Sequence, residues 1–132
     1  MLLVAPGCGQ PSADFDFEEV RYSITGGIAG FDRTMRIAPD GSYRVTDAGR
    51  ARGSGRLAGE SLNRLKELLA EVDWGAVEPS YIDRKVADSL HQTVSVRQER
   101  SEYITTVGTG GNPPQPVAAL VAFLDEVLRK AR

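Results

Sequence analysis

From Phe17 the chain alternates in character: Phe17, Val20, Tyr22 and Ile24 fall near every second position of FEEVRYSIT, predicting a half-buried strand that ends at Thr25. Gly26-Gly27-Ile28-Ala29-Gly30-Phe31 interrupts it, and a second strand is expected from about Arg33 to Ala38, with Met35 and Ile37 on one side. Pro39-Asp40-Gly41-Ser42 is a turn signal, because proline presets φ and glycine supplies a left-handed position. Tyr43 and Val45 carry the returning strand of a hairpin, and the glycine- and arginine-rich stretch Ala48 to Gly55 reads as a loop or an irregular edge strand. The period then changes. Leu62, Leu65, Leu68, Leu69 and Val72 recur at three- and four-residue spacing, predicting a helix from about Gly59 to Glu71 closed by Asp73-Trp74-Gly75. Trp74 is expected to plug one end of the core.

Gly75 to Ala87 lacks a clear period and reads as a long surface connection. Asp88 to Arg97 alternates again, with Leu90, Gln92, Val94 and Val96 on one face and His91, Thr93, Ser95 and Arg97 on the other. Gln98-Glu99-Arg100 is a polar turn. The strand Ser101 to Val107 returns with Tyr103, Thr105 and Val107 against Glu102, Ile104 and Thr106. A second glycine-and-proline loop, Gly108 to Gln115, leads into a helix whose first turn holds Pro116 and whose apolar stripe is Val117, Leu120, Val121, Leu124, Val127 and Leu128. The expected order is β-β-β-α-β-β-α. It implies an α+β domain: an antiparallel sheet of two hairpins plus an edge strand, with two amphipathic helices packed on one face.

The 132 residues fit a single domain over 15–132, and 41% hydrophobic with 26% charged residues indicates a globular body. Sixteen Lys and Arg against 18 Asp and Glu give no electrostatic reason to expect nucleic acid as a partner. Arg44, Arg50, Arg52 and Arg56 cluster, but without interleaved aromatics they read as a solvated loop or strand edge.

The one cysteine, Cys8, ends the apolar run MLLVAPGC. Residues 1–8 read as the tail of a secretory leader closing on a bacterial lipobox, with Ala5 in place of the usual leucine and Pro6 after it; residues 9–14 read as a flexible tether. Lipidation of Cys8 would anchor an extracytoplasmic domain to the cell envelope, the membrane being met only through that anchor. The alternative is a tail with an incidental cysteine.

Catalytic chemistry finds little support. His91 is the sole histidine and sits on the polar face of a strand; Cys8 precedes the folded body. The carboxylates show no spacing that selects an acid–base pair, and no calcium loop or phosphate loop is complete. No enzyme activity, metal or cofactor is expected. Gly26, Gly27, Ile28, Ala29, Gly30 and Phe31 are the candidate partner-binding residues, with Gly108 to Pro116 as a second candidate loop, because glycines expose main-chain polar groups and Ile28 and Phe31 can serve as anchors. The competing reading turns Ile28 and Phe31 inward to cap the core.

The run Tyr22 to Phe31, the basic Arg33 and the strand through Ile37, the leucine helix ending at Asp73-Trp74, Asp88 ahead of Val94 and Val96, and Pro116 ahead of Leu120 and Leu124 together resemble the emfourin family of bacterial protease inhibitors. The resemblance spans about Val20 to Leu128, and the Gly-Gly-x-Ala-Gly-hydrophobic segment is its specific part. It implies a steric inhibitor of thermolysin-like zinc metalloproteases that obstructs the catalytic cleft; the chain itself is expected to be a monomer. The alternative is an envelope lipoprotein module that binds or scaffolds without inhibiting.

Overall fold

The computed structural model describes residues 15–28 and 30–131, so the expected leader, Cys8 and the tether lie outside the described residues. Four strands run first: β1 Glu19–Gly26, β2 Phe31–Ile37, β3 Ser42–Asp47 and β4 Arg50–Arg56. Helix α1 Gly59–Glu71, the two-residue β5 Ser80–Tyr81, β6 Leu90–Arg97, β7 Glu102–Gly108 and helix α2 Gln115–Lys130 follow. The strands form one sheet in the order β4-β3-β2-β1-β6-β7-β5, antiparallel except where β5 runs parallel to β7. The domain is α+β, as its alternation predicts.

The expected order lacked two of these strands. Β4 falls in the stretch whose two expected readings are a loop and an irregular edge strand, and it is the edge strand, although RARGSGR is poor in strand formers. A bulge between Val45 and Thr46 admits it to the sheet, and a Cβ at Gly55 would lie 2.5 Å from the Tyr43 hydroxyl. Glycine there makes room for a ring on the neighbouring strand; it does not break the strand. The exposed arginines Arg50, Arg52 and Arg56 put charge on the sheet's outer edge, which discourages pairing with another chain. Β5 lies inside the connection read as structureless. The Thr106 N–H donates to the Pro79 carbonyl at 3.0 Å and the Thr105 hydroxyl donates to the Glu78 carbonyl at 2.8 Å, and these two bonds hold it.

One side of the sheet and both helices share a single apolar core. Val20 and Tyr22 of β1 meet Ile37 and Met35 of β2 and Val96 and Val94 of β6, all fully buried. Leu65, Leu68 and Leu69 of α1 and Val117, Leu120 and Leu124 of α2 close over them. Trp74 packs at the rim: its indole N–H donates to the Leu69 carbonyl at 3.0 Å, at the end of α1, and its ring stacks on Tyr103 with centroids 5.3 Å apart. In the β2–β3 turn Gly41 takes φ +92°, while Asp40 Oδ1 accepts from the Ser42 N–H and hydroxyl at 2.9 and 2.7 Å. Those bonds hold the Asp40 carboxyl below its ordinary range. Among the described residues, no helix is long and apolar enough to cross a membrane.

Candidate functional site

The β1–β2 hairpin ends on the pair Gly26 and Phe31, and the connection between them turns through Gly27 and Gly30. Gly26, Gly27 and Gly30 have φ of +87°, +75° and +66°, a region that side chains with a Cβ rarely adopt. Two of these glycines are also crowded. A Cβ at Gly26 would lie 2.7 Å from the Ser89 carbonyl oxygen, and one at Gly27 would lie 2.7 Å from Leu90 Cδ2. The Gly27 N–H donates to that same Ser89 carbonyl, and the Gly30 N–H closes the turn on the Gly27 carbonyl, each at 3.2 Å. The glycines therefore let the turn press against the start of β6.

Ile28 stands at the tip with 92% of its surface exposed, and Phe31 is 38% exposed beneath the Arg33 guanidinium at 5.5 Å. Neither caps the core. The outward reading of this loop is the one the geometry shows. Ala29 lies outside the described residues.

The second glycine loop converges on the same segment. Thr109 donates its N–H to the Leu90 carbonyl and the Ser89 hydroxyl oxygen at 3.1 and 2.9 Å, and its hydroxyl accepts from the Leu90 N–H at 2.9 Å. Gly110 takes φ +80°, and a Cβ at Gly111 would overlap the Tyr81 carbonyl. Loops about 80 residues apart in sequence are thus tied to one dipeptide, Ser89-Leu90. Sequence reasoning proposed both loops but missed this clamp, whose one visible signal is a threonine set among glycines.

Between this end of the sheet and the C-terminal half of α2 lies a groove of about 340 Å³, walled by Ile24, Phe31, Leu90 and Leu128. A linear polar network forms its floor. Gln92 Nε2 donates to the Tyr22 phenol oxygen at 2.8 Å, the phenol donates to Asp125 Oδ1 at 2.9 Å, and Arg129 pairs with Asp125 Oδ2 at 2.7 Å. Burial pushes the Tyr22 phenol far above its ordinary pKa, so it remains a donor. The network fixes α2 on the sheet. Its phenol is engaged as donor and acceptor at once, and both Asp125 oxygens are paired.

His91 lies on the open face between Thr25 and Gly108. Among the described residues it makes no ion pair with a carboxylate, and no cluster of three or more His, Cys, Asp or Glu side chains could hold a metal. No protein-family model and no curated protein matches this chain.

Proposed function

We propose that this chain is a non-enzymatic protein-binding domain that presents the Gly26–Phe31 hairpin to a partner. The observation that carries the proposal is Ile28, 92% exposed on a turn whose glycines and Ser89 bond hold its shape in advance. An anchor on a preorganised turn loses little entropy when it is buried.

Magnitudes set the extent of the interface. Burying an isoleucine and part of a phenylalanine contributes about 3–5 kcal/mol. Association costs about 4–15 kcal/mol before any affinity remains. The tip is insufficient alone, so the partner must also touch the adjoining Thr109 loop or the groove beside Leu90. A concave partner, such as an enzyme cleft, meets all three together.

The sharper form of the proposal is steric inhibition of a thermolysin-like zinc metalloprotease, resting on the emfourin-like segment Tyr22 to Phe31. Envelope tethering through a lipidated Cys8 belongs to the same reading and is supported by the MLLVAPGC run. A second reading, an envelope module that binds or scaffolds without inhibiting, is favoured by a separate hollow of about 550 Å³ at the opposite end of the sheet. Titrating a thermolysin-type protease with the full chain separates them. Stoichiometric loss of peptide hydrolysis, reversed by Ile28→Asp or Phe31→Ala in folded protein, supports inhibition; full hydrolysis at saturating chain overturns it. The mass of the membrane-extracted N-terminus tests lipidation.

A further inference from the structure

The sheet face opposite the helices carries a charge pattern that the hairpin does not use. Cross-strand pairing arranges this face in rows. The row Glu19, Arg97, Glu102 alternates in sign, and Arg97 also pairs with Glu18 at 3.3 Å. In the next row, Arg44, Arg36 and Arg21 stand directly opposite one another on three adjacent strands. Strands lie about 4.8 Å apart, and like charges so placed destabilise a sheet. Arg21 reaches Glu19 at 3.5 Å, whereas Arg36 and Arg44 make no ion pair or side-chain hydrogen bond among the described residues. Beside the arginines runs a row of hydroxyls, Thr46, Thr34, Ser23, Thr93, Thr106 and Ser80, one from each of six neighbouring strands. Four of the six pair off, Ser23 with Thr34 at 3.2 Å and Thr93 with Thr106 at 2.9 Å.

We infer that this face is a docking surface for an acidic polysaccharide, independent of the hairpin's partner. Such a polymer carries both matching chemistries: acid groups for the guanidinium row and hydroxyls for the serine–threonine row. An acidic peptide would use the arginines alone, and among the described residues the one large exposed apolar residue on this face is Ile104. Single-stranded nucleic acid stacks its bases on aromatics, which none of these positions supplies.

The test measures binding of the full chain to alginate, a polyuronate, and to poly-glutamate at equal charge, by biolayer interferometry. Alginate should be preferred at about 50 mM salt and released toward about 500 mM. Arg36→Ser with Arg44→Ser should weaken alginate binding about tenfold. Arg50→Ser with Arg100→Ser removes the same charge from exposed positions off the row and should change it about twofold or less. Thr34→Val with Thr93→Val should weaken alginate and leave any poly-glutamate binding unchanged. Circular-dichroism melts confirm that each variant is folded. The inference is overturned if alginate is not retained at low salt or if both arginine pairs matter equally. Equal or tighter binding of poly-glutamate, or of a single-stranded RNA homopolymer, overturns it as well.

Discussion

Gly27 lies so close to Leu90 that a Cβ on the glycine would sit 2.7 Å from Leu90 Cδ2, with φ at +75°. Its neighbours in the turn meet different obstacles, and substitution should separate them. Gly30→Ala has open space and should cost about 1–2 kcal/mol for its left-handed backbone alone. Gly26→Ala adds a collision with the Ser89 carbonyl, which a rotamer change cannot relieve, and should cost about 2–4 kcal/mol. Gly27→Val should fall between, since the end of the Leu90 side chain can yield. Urea denaturation ranks the three, and equal losses at Gly26 and Gly30 would show that the Ser89 contact is unimportant.

Ile28→Ser should leave stability within about 0.5 kcal/mol, because the tip makes no core contact to lose. Phe31→Ala should cost about 0.5–1 kcal/mol through its lost contact with Arg33. Both should weaken partner capture severalfold or more. Capture unaffected in both variants would move the binding surface away from the hairpin.

Tyr22→Phe should cost about 1–3 kcal/mol at neutral pH, because Asp125 and Gln92 each lose a buried partner. Tyr22 also sets an alkaline limit. Its pKa is raised in the fold, so the stability it contributes is complete below about pH 10 and is lost as pH climbs above that. Denaturant midpoints at about pH 8 and about pH 11 should converge for the wild type and the Phe variant. A constant gap between them would mean that Tyr22 does not carry this dependence.

Arg36→Thr should raise stability by about 0.2–1 kcal/mol, since it removes the middle of three like charges and adds a good strand former. Thermal melts at low salt should show the gain, and high salt should shrink it. A loss at low salt would argue that the guanidinium makes a supporting contact within the fold.

The sequence made the sheet's inward face legible because alternation and burial coincide: Val20 and Tyr22, Met35 and Ile37, and Val94 and Val96 are all inside, as their spacing demands. Both helices follow from their leucine and valine stripes for the same reason. Β5 is hidden and β4 is legible only as one of two alternatives, because their partners more than their own residues make them strands: Gly55 answers to Tyr43, and Ser80-Tyr81 is held by bonds from β7. The outward pose of Ile28 could not be read, since exposed and inward hairpin tips share one composition. The Ser89-Leu90 clamp was equally invisible, because it depends on long-range pairing of β1 with β6 and β6 with β7.

That pairing also governs how the chain comes together during synthesis. Β1 emerges early, yet one of its two flanks must wait for β6, whose Val96 faces Val20 from 76 positions downstream. Until then the first four strands form a meander whose open edge is β1, the strand that becomes the middle of the finished sheet. A nascent chain stalled before Leu90 would therefore display the strip of backbone most prone to sticking to other molecules, and the second half serves as its cover as much as its continuation.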